Sequence, residues 1–193
     1  MSRLSADDKQ QAILEAASKS FAAYGFRKTS MDDIAKGAGM SRPAVYLHYR
    51  NKDDIFRSLV QMFYDSASSG VAQALGSSGA PHVVLRDAFR AYGGRMLEAL
   101  LSSPHGLELL DAGAATASDI KAAGEAHLSR LYADWLERQA RAGHIRLQGS
   151  AEDLAATICA ALKGVKDASA DYATYAARVD MLADLFGAGL SAR

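Results

Sequence analysis

The segment from Ser30 to Lys52 reads SMDDIAKGAGMSRPAVYLHYRNK, and it decides the fold of the first part of the chain. Residues spaced as on short helices lie on either side of a turn that contains Gly37 and Gly39. Gly39 can adopt the positive φ that such a turn requires. The segment therefore predicts a helix-turn-helix over about residues 30–49.

The two short helices of this motif have recognisable start signals. Ser30 and Ser41 are predicted N-caps, and Asp33 follows Ser30 at the spacing of an acidic capping box. In the second helix, Val45 and Tyr49 are four residues apart and are expected to share a buried face. The opposite face is then left for another molecule, and the major groove of DNA can accept a helix.

The exposed face and the two helix starts carry side chains suited to DNA. Hydroxyl and imidazole groups can bind phosphate oxygens, an arginine can reach a guanine edge or a phosphate, and helix N-termini favour phosphate. For His48, a structural role is the alternative, and Tyr49 is assigned to the core. The predicted DNA contacts are Thr29, Ser30, Ser41, Arg42, Pro43, Ala44, Tyr46, Leu47, His48 and Lys52.

The charge balance requires that any DNA contact be concentrated in one region. The 193 residues include 22 Lys and Arg and 22 Asp and Glu, so the formal net charge is zero. DNA binding then depends on a local basic patch. Such a patch is predicted from the basic residues Arg27, Lys28, Lys36, Arg42, Arg50, Lys52 and Arg57.

Composition and segment lengths favour a cytoplasmic globular protein. Hydrophobic residues make up 49% and charged residues 23% of the chain. No apolar run approaches the roughly 18–20 residues that span a bilayer, and residues 1–8 lack the apolar segment of a secretory signal. Cys159 is the only cysteine, which excludes an intrachain disulfide, and we expect a buried apolar side chain rather than a redox sensor. No membrane contact, cofactor or metal is expected.

Motifs of the common enzyme classes are absent from the sequence. There is no His-Glu-x-x-His or Glu-x-x-His metal pair, no Gly-x-Ser-x-Gly elbow and no phosphate loop. Residues 125–127 (Glu-Ala-His) have the wrong spacing for a metal pair, and residues 37–39 (Gly-Ala-Gly) are followed by Arg42 where a dinucleotide fingerprint has glycine. The sequence therefore predicts a protein that is not an enzyme.

Helical periodicity continues through nearly the whole chain and predicts an all-α fold of about nine helices. A three-helix N-terminal head is expected over 7–66, and a C-terminal helical bundle for dimerisation and effector binding over 67–193. Asn51 and Ser150 are further predicted caps. The predicted helices lie at about 7–24, 31–38, 42–49, 52–75, 82–101, 105–114, 118–142, 151–168 and 172–190.

Residues 11–60 resemble the DNA-binding head of the TetR family of transcriptional regulators. Two residues depart from the family's pattern, and both bear on the DNA sequence (the operator) that such a protein would bind. Pro43 replaces a small residue, often glycine, and removes one N–H group; Leu47 replaces a polar contact and can touch a thymine methyl group. The matching pieces are Ile13-Leu14-x-Ala16-Ala17, Phe21-x-x-x-Gly25, Thr29-Ser30-Met31-x-Asp33-Ile34-Ala35, Ala38-Gly39-Met40-Ser41, Val45-Tyr46-x-His48-Tyr49 and Lys52-x-x-Ile55-Phe56.

The resemblance implies a homodimer that places the second motif helix of each subunit in the major groove of a palindromic operator. It also implies a repressor that a small effector releases; an activator, or a ligand-independent architectural DNA-binding protein, is the alternative. The last two helices are expected to pair with their symmetry mates. The predicted dimer contacts are Leu154, Ile158, Ala161, Leu162, Val165, Tyr175, Val179, Leu182 and Phe186.

An effector pocket is implied in the C-terminal part, where aromatic, methionine and histidine side chains recur on helices. Any one of these residues can instead be ordinary core. Their apolar and aromatic character indicates a hydrophobic or aromatic effector. The predicted lining is Phe89, Tyr92, Met96, His105, Leu110, His127, Tyr132 and Trp135.

Overall fold

The computed structural model describes residues 5–191, and this part of the chain is built from α-helices joined by short loops. The all-α class is confirmed; within the described range the one β-type pairing is an isolated bridge between Ile145 and Ser191. No helix in the described range is long and apolar enough to cross a membrane. The helices are α1 (Ala6–Tyr24), α2 (Met31–Gly37), α3 (Arg42–Tyr46), α4 (Lys52–Leu75), α5 (Pro81–Leu101), α6 (Gly106–Thr116), α7 (Ser118–Arg141), α8 (Ala151–Asp167) and α9 (Tyr172–Leu190).

The helices form two compact units. The head unit runs to Met62 and also includes Leu100–Lys121, whereas the bundle unit comprises Phe63–Ala99 and the chain from Ala122 onward. The division predicted at residue 66 lies close to the boundary at Met62. It assigns α6 to the C-terminal bundle, whereas α6 lies in the head unit. The functional division into DNA-binding and effector domains stays a prediction.

The apolar core of the head unit explains why α6 belongs there. Phe21, Phe26 and Phe56 form a cluster whose ring centroids lie 4.9–5.5 Å apart. Leu109 of α6 is buried in the same core, and Ile13 of α1 is fully buried there. This pairing joins segments far apart in the chain, so helical periodicity gives no sign of it.

Side-chain caps define where several helices begin. The Ser30 hydroxyl accepts the Asp33 N–H at 3.2 Å, and the Asp33 carboxylate accepts the Ser30 N–H at 2.9 Å, as the predicted capping box requires. The Ser30 hydroxyl also donates to the Asp33 carboxylate at 2.6 Å, and this bond, with that from the Ser30 N–H, lowers the pKa of Asp33. Asn51 and Ser150 accept backbone N–H groups at the starts of α4 and α8 as predicted. The sequence thus identified the helix starts correctly wherever it named a cap.

The bundle unit buries the two apolar stripes that were predicted to form the dimer interface. Ile158 and Leu162 of α8 and Tyr175 and Val179 of α9 are at most 2% exposed within one chain. The prediction is wrong for these four residues, because a helix turns its most apolar stripe toward its own core. The remaining predicted contacts are partly buried: Leu154, Ala161, Val165, Leu182 and Phe186.

Cys159 of α8 is half-buried rather than fully buried. Burial, with a smaller contribution from the Glu125 carboxylate, raises its pKa to about 11. A thiol that stays protonated at neutral pH is a poor nucleophile, which agrees with the expectation that Cys159 is not a redox sensor.

Glycine permits one close helix contact within the bundle unit. A Cβ atom placed on Gly124 of α7 would lie 2.3 Å from ring carbons of Tyr64 of α4, and 2.9 Å from its Cβ. Those atoms are near the root of the tyrosine side chain, so rotation of the ring cannot relieve the overlap. The approach of α7 to α4 therefore depends on the absence of a side chain at position 124.

Replacing Gly124 with alanine should destabilise the protein, although alanine favours a helix by about 1 kcal/mol over glycine. Overpacking against Tyr64 should cost about 1–3 kcal/mol in the free energy of unfolding, measured by urea denaturation. In a Tyr64→Ala background the same substitution should be neutral or stabilising. An equal loss in both backgrounds would show that the Tyr64 contact is not the cause.

Candidate nucleic-acid interface

The turn between α2 and α3 has a defined geometry. Gly39 has φ +65°, the positive value predicted for it. The Gly39 N–H donates to the Lys36 carbonyl at 3.1 Å, and the Met40 N–H donates to the Ala35 carbonyl at 3.0 Å. This pair of bonds is a Schellman motif, which ends α2 and sets the direction of the chain into α3.

The second motif helix is shorter than predicted. α3 ends at Tyr46, whereas the sequence predicted helix to residue 49. The turn tightens at this point, because the N–H groups of His48 and Tyr49 both donate to the Val45 carbonyl at 3.0 Å. The Tyr49 hydroxyl accepts a hydrogen bond from Gln10 of α1 at 3.0 Å, which ties the end of the turn to α1.

The two faces of this helix are divided as predicted. Val45 is fully buried and Tyr49 is 5% exposed, so both belong to the core. Tyr46 is 41% exposed, and Leu47 is 85% exposed although it is apolar. Arg42 and Pro43 are exposed on the same helix, and Ala44 and His48 are partly exposed. The outward face therefore offers a mixture of cationic, aromatic and apolar groups.

Arg42 is oriented by two neighbours on this face. Its Nη1 atom lies 3.1 Å from Oδ2 of Asp32 in α2, and its Nη2 atom lies 3.3 Å from the Tyr46 hydroxyl oxygen. The guanidinium carbon lies 5.5 Å from the centre of the Tyr46 ring. The side chains of Arg42 and Asp32 are 57% and 50% exposed, and ion pairs this exposed contribute little stability. Arg42 is therefore held in place but can exchange Asp32 for another anion.

The N-terminus of α3 offers less to a phosphate than the sequence suggested. Pro43 has no N–H group, and the N–H groups of Ala44 and Val45 both donate to the Ser41 carbonyl, at 3.0 and 3.2 Å. The Ser41 hydroxyl is also within 3.4 Å of the Ala44 nitrogen. Ser30 and Ser41 both remain exposed, so their hydroxyls cap helices and face solvent.

The structure gives Lys52 a role that the sequence did not indicate. Its ammonium group donates to the carbonyls of Phe26, Arg27 and Thr29 at 2.7, 3.0 and 3.1 Å. The group also lies 4.7 Å from the centre of the Phe26 ring. All three N–H donors are used within the protein, so a phosphate contact by Lys52 is no longer supported.

Thr29 also lies inside the fold rather than on its surface. The residue is 2% exposed, and its hydroxyl donates to the carbonyl of Gly25 at 2.7 Å. The prediction of a DNA contact from this side chain is wrong, because burial removes it from solvent. Gly25, which follows α1, has a φ of +82° and a ψ of 162°.

The basic residues of the predicted patch include side chains bound within the protein and side chains exposed to solvent. Arg57 is engaged, because its guanidinium binds both carboxylate oxygens of Asp119 at 2.7 Å and the Thr116 carbonyl at 2.9 Å. This pairing lowers the pKa of Asp119 to about 2. Four other basic side chains are exposed and form no ion pair with residues 5–191: Arg27, Lys28, Lys36 and Arg50. The sequence placed them in the patch but did not include them among the contacts.

His48 lies at the edge of an open groove of about 390 Å³ in the head unit. Its neighbours along the groove include Arg50 and Ser58. The imidazole is partly exposed, so both the structural role and the DNA contact weighed from the sequence remain compatible with its position.

The residues predicted to line one effector pocket do not lie in one compact unit. His105 and Leu110 belong to the head unit, where His105 Nδ1 lies 3.3 Å from the carboxylate of Glu108. His127 is exposed on α7. Those three assignments are therefore wrong for a single enclosed site in the bundle unit. The other five lie in the bundle unit, with Met96 partly buried and the rest buried: Phe89, Tyr92, Met96, Tyr132 and Trp135.

Residues 13–59, which contain α2, the Gly39 turn and α3, match the model of the tetR family of bacterial regulatory proteins. Over these residues the head unit is similar to that family. The chain is 36% identical over 90 residues to the transcriptional activator FasR of Mycolicibacterium smegmatis, and 39% identical over 75 residues to the regulator EthR of the same organism. These matches cover 47% and 39% of this chain.

The chain spans about two fifths of these curated relatives, 41% of FasR and 35% of EthR. The likeness in fold extends further. A TetR-like transcriptional regulator from Rhodococcus sp. RHA1 superimposes with a TM-score of 0.63 and 26% identity, over 97% of this chain and all of that one. The relatives are named as transcriptional regulators rather than enzymes. The likeness in fold thus includes the bundle unit, whereas the family model matches residues 13–59.

Replacing Lys52 with methionine should lower the free energy of unfolding by about 2 kcal/mol, because hydrogen bonds to charged groups contribute about 1.5–3 kcal/mol. The salt dependence of DNA binding should keep its slope. A lost phosphate contact would instead reduce that slope by about 0.9 with stability unchanged. Lys36→Met is the matched control, since Lys36 is exposed and its loss should change stability by no more than about 0.5 kcal/mol.

Proposed function

We propose that the protein is a transcriptional regulator that binds DNA by placing α3 in the major groove. The observation that carries this proposal is the outward face of α3, where Leu47 is 85% exposed beside Arg42 and Tyr46. An apolar side chain in water contributes no burial energy to the free protein, whereas a thymine methyl group in the major groove would cover the Leu47 side chain. The TetR-family match of residues 13–59 supports the same assignment.

The proposed DNA contacts fall into two classes, contacts to base edges and contacts to phosphates. Arg42 and Leu47, with Pro43 and Ala44 beside them, are proposed to face base edges, and Tyr46 to reach either a base or the backbone. Phosphates would be bound by the exposed hydroxyls of the two caps, by His48 and by the exposed basic side chains. The proposed phosphate contacts are Arg27, Lys28, Ser30, Lys36, Ser41, His48 and Arg50.

The proposed assembly is a homodimer formed by the outward faces of α8 and α9. On α9, Met181 and Leu185 are 65% and 66% exposed and are one helical turn apart. On α8, the exposed residues Ala156, Ala160 and Gly164 recur every four residues, which permits close helix approach. A two-fold axis would bring this surface against its own copy, and the operator would then be palindromic.

The direction of regulation is proposed to be repression, relieved when a small effector binds the bundle unit in the cytoplasm. Activation is the second candidate, because the relative FasR is named as an activator. The match to FasR covers 47% of this chain. A DNA-binding head by itself does not determine whether the bound protein blocks or recruits RNA polymerase. A reporter gene downstream of the selected operator separates the two, since expression falls with a repressor and rises with an activator.

Selection from a random duplex pool should enrich a two-fold symmetric site with half-sites about one helical turn apart. On that site, Leu47→Ala should weaken binding roughly tenfold at positions where the parent prefers thymine, since each specific base contact contributes about 1–3 kcal/mol. Leu107→Ala, which removes another exposed leucine (59% exposed) from α6, is the control and should bind as the parent does.

Arg42→Ala distinguishes the two roles of the arginine on the same site. Loss of a guanine contact would relax one base position, whereas loss of a phosphate contact would reduce the salt slope by about 0.9. Unchanged affinity and specificity in both variants would contradict the assignment of α3 to the groove.

The dimer surface is tested by the double substitution Met181→Glu and Leu185→Glu. Four carboxylates near a two-fold axis would repel one another and lose water, so light scattering should give the 20.5 kDa monomer in place of the dimer. Leu107→Glu should leave the dimer intact. A parent protein that is already monomeric, or a double variant that stays dimeric, would rule out this interface.

A further inference from the structure

Two consecutive aspartates stand in the first turn of α2, and their carboxylates have different partners. Asp33 is used within its own helix, where it forms the capping box with Ser30. Asp32 reaches the next helix of the motif, and its Oδ2 atom lies 3.1 Å from Nη1 of Arg42 in α3. The sequence assigned no role to Asp32, because its partner lies ten residues later and on another helix.

The position of Asp32 is unfavourable for the affinity of a protein that binds DNA. An acidic residue in the first turn of a helix interacts well with the helix dipole, but Asp33 already provides that interaction. The side chain of Asp32 is 50% exposed, and it lies beside Arg42 on the surface that is proposed to face DNA. A carboxylate there repels phosphates and weakens the attraction of DNA of any sequence. Any gain from Asp32 must therefore come as selectivity rather than as affinity.

Asp32 and Tyr46 together orient the guanidinium group of Arg42. Asp32 binds Nη1, and the Tyr46 hydroxyl oxygen lies 3.3 Å from Nη2. The guanidinium carbon also lies 5.5 Å from the centre of the Tyr46 ring. A guanidinium has five N–H donors, so these two bonds leave one donor on each of Nη1 and Nη2 and the donor on Nε. Two donors are sufficient for a guanine edge, which offers the acceptors O6 and N7 side by side.

The pairing also changes how Arg42 chooses between a phosphate and a base. A lone arginine near the DNA backbone neutralises a phosphate, which adds affinity without sequence information. The carboxylate of Asp32 cancels the charge of Arg42, so a phosphate attracts the pair less than it attracts a lone arginine. A guanine edge is uncharged and depends on the direction of its donors. The pairing improves that direction, because the side chain is already ordered before DNA binds.

We infer that Asp32 is a positioning residue for sequence recognition, which directs the guanidinium of Arg42 toward a guanine edge and away from phosphates. Asp32 acts through Arg42 and does not itself contact DNA. The inference deepens the proposed function and rests on it, because it takes α3 to lie in the major groove. The DNA partner is then a duplex with a guanine opposite Arg42 in each half-site.

Asp32→Asn removes the charge of this side chain and keeps its shape. The guanine position is the one that Arg42→Ala relaxes, and the preference is the ratio of affinities for the operator and for the same duplex with A·T at that position. Asp32→Asn should lower this preference about two- to fivefold, the range expected for an exposed ion pair. Binding to a duplex without the operator should instead tighten about two- to fivefold, and its salt slope should steepen by up to about 0.9, because the released arginine can neutralise a phosphate.

The matched control is Asp111→Asn, since Asp111 is an exposed aspartate of α6 in the same head unit. It changes the net charge by the same amount, yet it should keep the parental preference for guanine. Urea denaturation is measured on both variants. A loss of stability in Asp32→Asn with an unchanged base preference would show that Asp32 has only a structural role, and would overturn the inference.

A double-mutant cycle decides whether Asp32 acts through Arg42. In an Arg42→Ala background, Asp32→Asn should have no further effect on the preference at the guanine position. An equal loss in both backgrounds would mean that Asp32 contacts DNA itself, which would overturn the inference.

The failure of this inference is distinguishable from the failure of the proposed function. A parental base preference in Asp32→Asn would refute the inference alone, as would an Arg42→Ala variant that changes the salt slope without relaxing a base position. A protein that selects no duplex from the random pool would refute the proposed function and, with it, the role of Asp32.

Discussion

The Lys52 ammonium group donates to the carbonyls of Phe26, Arg27 and Thr29 and so ties the start of α4 to the loop before α2 in the head unit. This single cation at the start of α4 binds three carbonyl oxygens of residues that lie outside any helix. The loop that precedes α2 is thereby fixed, and with it the direction of α2 and, through the Gly39 turn, that of α3. The outward face of α3 depends on this chain of local constraints more than on any contact of its own.

The features that the sequence predicted well are those set by neighbours along the chain. The capping box of Ser30 and Asp33, the positive φ of Gly39 and the burial of Val45 and Tyr49 all follow from spacings of a few residues. Residue type and spacing are sufficient there because the interacting groups share a turn or a helix face.

Features that depend on distant segments were missed. Lys52 looked like an exposed cation because its acceptors lie more than twenty residues earlier. Thr29 looked like a surface hydroxyl although its acceptors, the carbonyls of Gly25 and Ser20, are close in the chain. Its burial comes from packing, which the spacing of residues does not show. The apolar stripes of α8 and α9 were assigned to a dimer, but periodicity identifies the face that is buried and does not say whether the same chain or a copy buries it.

The bond between Glu108 and the N–H of Arg27, at 3.0 Å, has a consequence for the modularity of the molecule. It joins positions 81 residues apart, and Leu109 beside it completes the core around Phe21 and Phe56. A fragment cut after α4 would expose that core and lose the carboxylate that fastens the loop before α2. Heads exchanged between regulators of this fold would therefore have to be transplanted together with α6, as a discontinuous graft rather than an N-terminal cassette.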